Sequence, residues 1–505
     1  MDKLSQLIRA FDKYKMRHIN VLNHQDKNSR HTQFYNAIIK GKVTTDEEAV
    51  NLLYGKSKDK VLPPKYRVFK TEFKERAVNS IILIDADHED FDDYQRAVYA
   101  ANREWLIIRA AARQGLSDVA EDFAESLFED VKKYEYTDIA VQILDLLKHT
   151  SASKGDKKKF VMYQGLSEHY NGQWLAEQKA KDCANLLKME YVKKAEFKAH
   201  VSVTARAYFE ELKPLMEKYN SIGLYFNATV VEIYIYSSIS DYKNLLAVAE
   251  RGIKYFREKG FVLKVALSIF LQQKMIASMM LKRYPEAYDA INESIKLRQK
   301  GTFNWFKGQE SKVALCFRTH RYTEGYAIYK EVTAMPEFKK ELTGMNREMW
   351  FVFNAYFHLL HKLGVAKELV LEENAFDFAA FIKDVPTFNQ DKKGMHLALV
   401  ILEICFMMSK KRRDELIDRI DALQKHLSRY SDKTDPSYRF SQFGNMLLEI
   451  PKSGFMRSVL EENTAHLFRD LQSVPYDMIE SVYRSEVVEL EALWIIMLNN
   501  YESLK

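Results

Sequence analysis

Apolar side chains return every three or four residues along most of this 505-residue chain. That spacing predicts amphipathic helices joined by short turns. The clearest copy of the pattern lies between Phe261 and Pro336. There an apolar helix over 263–281 ends at Lys282-Arg283, and a second begins at Tyr284-Pro285-Glu286. A helix around 308–319 then ends at His320-Arg321, and the next begins at Tyr322-Thr323-Glu324. Tyr284 and Tyr322 are 38 residues apart, and each is followed by small and apolar residues at matching offsets: Ala287, Ile291 and Ser294, then Gly325, Tyr329 and Val332. Tyr242, with Leu245, Ala249 and Gly252, opens an earlier copy. Small residues at these offsets let one helix lie close to its partner, while the aromatic fills the gap between hairpins. A two-helix repeat of this length is the signature of an α-solenoid.

On either side the same rhythm continues less regularly. Before it, helices are predicted at about 4–22, 30–40 and 45–54, the last opened by a capping box at Thr45-Asp46-Glu47-Glu48. Pro63-Pro64 starts a longer one. From Phe91 onward helices are expected at 94–113, 117–134, 137–147, 156–170 and 173–190. A long or kinked element at 191–218 follows, with Pro214 marking the kink. Thr229–Tyr236 is rich in β-branched and aromatic residues but keeps the 3.6-residue pattern, so it reads as helix. After Pro336 an aromatic helix is predicted at 347–363, then one or two over 365–382, a hairpin at 394–409 and 414–430, and closing helices at 437–449, 454–471 and 476–501.

The run Tyr284-Pro285-Glu286-Ala287, followed by Ile291, Ser294, Ile295 and Leu297, resembles the second helix of a tetratricopeptide repeat, and Pro336 falls where that family often carries a proline. The likeness spans about a third of the chain. It departs from the family at Met275, where Gly or Ala is preferred, and at Lys274, where Leu is. The resemblance implies an all-α, α-α superhelix whose first helices line a concave groove. Carried onto this sequence, the groove positions are Asn227, Val230 and Tyr234, then Ile269, Gln272 and Ile276, then Lys307, Glu310 and Arg318. The Lys/Asn set that clamps a C-terminal carboxylate in chaperone-binding members is missing.

Composition adds three constraints. Gly (17) and Pro (9) are scarce against usual usages of about 7% and 5%, as befits long helices and tight turns. Three cysteines, Cys183, Cys316 and Cys405, stand far apart inside predicted helices and read as reduced core thiols. Net charge is +6, yet residues 1–80 hold 17 Lys+Arg against 9 Asp+Glu, a net of +8, so the remainder nets −2. The expected organisation is a basic helical module at 1–95, repeats at 96–345, and degenerate repeats with a cap at 346–505. No leader segment or membrane-spanning run is evident, and a soluble cytoplasmic protein is expected.

Chemistry is sparse. No phosphate-binding glycine loop, C-x-x-C, H-E-x-x-H or G-x-S-x-G occurs, and the carboxylates scatter over solvated helical positions. The acidic run 85–93 lacks the glycine and distal Glu of a calcium loop. His358 and His361 lack a third ligand. No catalytic residue, metal or cofactor is assigned. The expectation is a non-enzymatic scaffold holding a protein or peptide in its groove, through Asn227, Tyr234, Gln272, Lys307, Glu310 and Arg318. The alternative resembles bacterial peptide-sensing regulators in layout: a basic N-terminal face (Arg9, Lys13, Lys15, Arg17) contacts nucleic acid while the repeats sense a peptide.

Overall fold

The computed structural model describes residues 29–55, 63–81, 91–193, 198–371, 376–390, 395–409, 413–427, 438–474, 476 and 486–500. Among those residues there are 23 α-helices and no strand. The chain separates into two compact units, Met1–Trp174 and Leu175–Lys505. The first holds α1 (Arg30–Ile39), α2 (Asp46–Tyr54), α3 (Pro64–Ile81), α4 (Asp93–Arg113), α5 (Ser117–Lys133), α6 (Thr137–Ser153) and the start of α7 (Lys157–Lys193). The second continues with α8 (Lys198–Lys218), α9 (Ile222–Ser237), α10 (Tyr242–Arg257), α11 (Lys264–Met280), α12 (Tyr284–Lys296), α13 (Phe303–Arg318), α14 (Tyr322–Ala334), α15 (Pro336–Glu341) and α16 (Met345–Lys362). It closes with α17 (Phe378–Asp384), α18 (Pro386–Gln390), α19 (Met395–Ser409), α20 (Arg413–Leu427), α21 (Tyr438–Lys452), α22 (Arg457–Ser473) and α23 (Leu490–Asn499).

From α8 to α14 each helix packs on the next in sequence, the pattern of stacked helical hairpins. The helices that begin at Tyr242, Tyr284 and Tyr322 do so where the repeat places them. The small offsets are close approaches. A Cβ on Gly252 would lie 2.7 Å from the ring of Phe270, which is fully buried and stacks on Phe256 with centroids 5.5 Å apart. Ser294, buried at the equivalent offset, donates its hydroxyl to Ser268 O across the gap. Burying one such Phe contributes about 1.5–3 kcal/mol. The β-branched run Thr229–Tyr236 is helical, within α9, because Val231, Ile233 and Ile235 are buried from a helix that has neighbours on both sides.

The turns repeat as closely as the helices. Two residues before α5, α6, α7, α10, α12 and α14 stand Gly115, Glu135, Gly155, Ser240, Lys282 and His320, all with φ between +53° and +78°. In each case the next residue's N–H reaches back five residues: Tyr136 to Val131 O, Arg283 to Ser278 O, Arg321 to Cys316 O. This is the double-bonded helix stop that normally recruits glycine. Four of the six positions carry a side chain in the left-handed region at a cost of about 1–2 kcal/mol each. Lys282→Gly is therefore expected to stabilise the second unit by about 0.5–1 kcal/mol, after the extra freedom of glycine in the unfolded chain is deducted. A rise in the urea midpoint checks it, and a fall would show that Lys282 makes contacts that outweigh the strain.

Several elements differ from expectation. The helices predicted at 156–170 and 173–190 are one helix, α7. Gly165 and Gly172 inside it cost about 1 kcal/mol each, less than the packing of buried Ala176, Ala180 and Leu187 returns. α13 begins at Phe303 rather than near 308, because the Thr302 hydroxyl accepts the Trp305 N–H and caps it there. Among the described residues of 365–382 none is helical before Phe378, and α17 and α18 are each a turn or two long. Residues 486–489, predicted as part of the last helix, are non-helical, and the described helix starts at Leu490. The capping box at Thr45 is present, with Glu48 accepting from the Thr45 N–H. Asp92 caps α4 by accepting the Gln95 N–H. The helix at 4–22 lies outside the described residues, as does most of the acidic run. All three cysteines are buried and free. Among the described residues no helix is long and apolar enough to cross a membrane.

Candidate functional site

In the second unit the first helices of successive hairpins, α9, α11 and α13, turn one face each toward a common cavity of about 520 Å³. α9 contributes Val230, Ile233, Tyr234 and Ser237, and α11 contributes Ile269, Gln272, Gln273, Ile276 and Met279. α13 contributes Asn304, Lys307, Glu310, Ser311, Ala314 and Arg318. The i, i+3, i+4 and i+7 spacing on each helix sets this face. The lining is mixed: an apolar wall on α9 and along α11, where Gln272 and Gln273 interrupt it, and a more polar wall on α13.

Of the sequence-derived groove positions, Tyr234, Gln272, Lys307, Glu310 and Arg318 meet in this cavity, with Val230, Ile269 and Ile276. Asn227 does not line it. One turn too far toward the start of α9, Asn227 spends its amide on Gly223 O, 2.8 Å away. The basic face Arg9, Lys13, Lys15 and Arg17 falls outside the described residues. His358 and His361 lie elsewhere. The Nδ1 of His361 is 3.0 Å from Ala366 O, and the His358 ring is beside Phe376.

The polar groups are held in an ordered network. Lys307 pairs with Glu310 one turn on, which cancels both charges. Ser311 donates to Lys307 O and accepts from the Gln272 amide nitrogen at 3.2 Å. That contact orients Gln272 so that its Oε1 faces Arg298, 3.1 Å from Nη2. Burial pushes the Tyr234 hydroxyl pKa up, and its ring packs on Tyr191 with centroids 5.4 Å apart. Arg318, though groove-facing, is taken by the chain itself. Its Nη1 lies 2.6 Å from Glu489 Oε1, Nη2 donates to Glu486 O, and the guanidinium is 3.8 Å from the centre of the Tyr476 ring. Burial alone would lower its pKa; Tyr476 and the carboxylates of Glu486 and Glu489 outweigh that and raise it.

Beyond Tyr191 of α7 and Met349 and Phe353 of α16, sequence reasoning missed two further groups of lining residues. Tyr476, Glu486 and Val487 come from the chain's last stretch, more than 150 residues after α13, and nothing local announces that return. The second omission, Arg298, follows the end of α12, a helix that the repeat assigns to the outer row. One signal for it existed: Gly308 stands in the middle of a helix where no turn needs it. A Cβ there would lie 2.9 Å from Ile295 and 3.1 Å from Arg298 Nη1, so the glycine opens room for both side chains.

Among the described residues the cavity lining holds no histidine or cysteine. Among the described residues no group of three or more His, Cys, Asp or Glu is placed to hold a metal ion. What the arrangement offers is a long half-apolar wall opposite fixed donors and acceptors. No family model, no curated protein and no solved structure matches the chain, so this geometry stands as the description of the site.

Proposed function

We propose that the chain is a binding scaffold of tetratricopeptide-like repeats that holds a peptide segment of a partner in the cavity lined by α9, α11 and α13. One observation supports this above the rest. Three successive first helices present side chains to one cavity, while their second helices pack outside them and carry the core. In such a repeat the lining is free to serve recognition because the hairpin contacts alone maintain the fold. An apolar wall with a few oriented polar groups is the usual make-up of a ligand site. The open positions suit an extended or helical segment whose apolar side chains bury against Ile269, Ile276 and Val230.

Panning a displayed library of random dodecapeptides on the full-length protein tests the reading. Enrichment of related sequences is expected, and Ala314→Trp, which places an indole in the cavity from the polar wall, is expected to abolish it with little change in melting temperature. Ala314 is half-buried on that wall and lines the cavity. Absence of enrichment on the wild-type protein, or enrichment that Ala314→Trp leaves intact, would sink the proposal.

A further inference from the structure

The charged side chains around the cavity are Arg298, Lys307, Glu310, Arg318 and Glu486. Four of them are neutralised within the protein. Lys307 pairs with Glu310, Arg318 with Glu489, and Glu486 with the buried Arg439. Arg298 is the exception. Among the described residues it makes no ion pair. Its acceptors are Asn304 O at 2.7 Å, Gln272 Oε1 at 3.1 Å and Ser268 O at 3.5 Å, all uncharged. Burial lowers its pKa, as expected for a guanidinium withdrawn from water with no carboxylate beside it. Three of its five N–H groups are used by these acceptors, so Nε–H and one N–H of Nη1 remain to donate. The pocket for this side chain is specific: Gly308 leaves the space, Gln272 is aimed by Ser311, and the chain after α12 folds back through Gly301 at φ +82° to bring Asn304 O against Nη1.

We propose that the cavity selects peptides bearing an acidic side chain, whose carboxylate pairs with the Arg298 guanidinium while apolar neighbours lie on the α9 and α11 wall. This rests on the scaffold reading and adds to it the class of partner. A half-buried, uncompensated cation is costly in the free protein, and an incoming carboxylate gains a charge-assisted bond at a site already desolvated and oriented. Carboxylates from solvated surface residues find no such partner elsewhere in the cavity, because its remaining cations are already paired.

The same dodecapeptide library, fused at its C-terminal end so that no free chain terminus is presented, provides the test. On wild-type protein the enriched sequences are expected to share one Asp or Glu flanked by apolar residues. On Arg298→Gln the apolar preference should persist while the acidic position disappears. A synthetic peptide of the enriched sequence should bind the variant roughly 10- to 100-fold more weakly, the range for losing one bond to a charged group. Arg298→Lys should retain part of the affinity, and Gly308→Ala, which crowds Nη1, should weaken binding with Arg298 still present. Enrichment with no acidic position on the wild type would overturn this inference and leave the scaffold reading standing. An acidic position that survives in Arg298→Gln would also overturn it, and with a lowered melting temperature would make Arg298 a structural tether. Absence of any enrichment would overturn both.

Discussion

Replacing Arg439 by Met is expected to destabilise the end of the second unit by about 3–5 kcal/mol, the usual cost of stranding a buried charge. Arg439 is 1% exposed and meets Glu486, itself 0% exposed at the side chain, through two bonds of 3.0 Å and 2.8 Å. It also reaches Glu491 at 2.7 Å and donates to Leu471 O and Val474 O. Glu486 in turn accepts the Leu490 N–H at 3.2 Å and so starts α23. One arginine on α21 therefore ties together the exit of α22 and the entry of α23. Urea unfolding of the single variant measures the loss. The double variant Arg439→Met with Glu486→Gln removes the fully buried carboxylate along with the arginine, and should recover part of it because the one charge left behind, Glu491, is partly exposed to water. A single-variant cost under about 1 kcal/mol would show that water reaches the site. The effect should extend to the cavity, since Glu486 O and Glu489 hold Arg318. Weakened peptide binding by Arg439→Met is accordingly expected even though the arginine lies outside the cavity lining.

The second large effect is expected from Phe357→Ala, about 3–5 kcal/mol for removing a large side chain from a packed core. Phe357 is fully buried on α16. Its ring stacks on Phe317 of α13 at 4.4 Å and meets Tyr326 of α14 edge-on at 5.3 Å. Gly325 provides the gap, for a Cβ there would stand 3.2 Å from the Phe357 ring. This contact joins the last regular hairpin to the looser helices after Pro336. Loss of the ring should increase hydrogen exchange in α13 and α14 together, and unchanged exchange there would mean the hairpin is held by its own contacts. Phe357→Leu, which keeps most of the volume, should cost about 1–1.5 kcal/mol.

Much of the architecture was legible along the chain. The Tyr242, Tyr284 and Tyr322 starts, the small offsets, the capping box at Thr45 and the helical reading of Thr229–Tyr236 all depend on spacing within one or two turns, and spacing is a local property. The groove face was legible for the same reason: once the first helices are known, residues at i, i+3, i+4 and i+7 must share a side, which places Tyr234, Gln272, Lys307 and Glu310 together. Asn227 failed because the cavity ends a turn sooner than the repeat rule assumes.

The remainder was decided by tertiary structure. The left-handed turns at Glu135, Ser240, Lys282 and His320 carry no glycine to reveal them, because packing of the two flanking helices imposes the geometry and outweighs the local cost. Arg318 looked available from its position but is claimed by Tyr476, Glu486 and Glu489, residues whose approach depends on the Arg439 cluster and not on any nearby sequence. Arg298 belongs to the cavity only because Gly308 makes room and Gln272 turns toward it. Helix periodicity sets which side of a helix a residue is on; which charges meet across that side, and which one is left without a counter-charge, depends on contacts between segments that the order of residues does not encode locally.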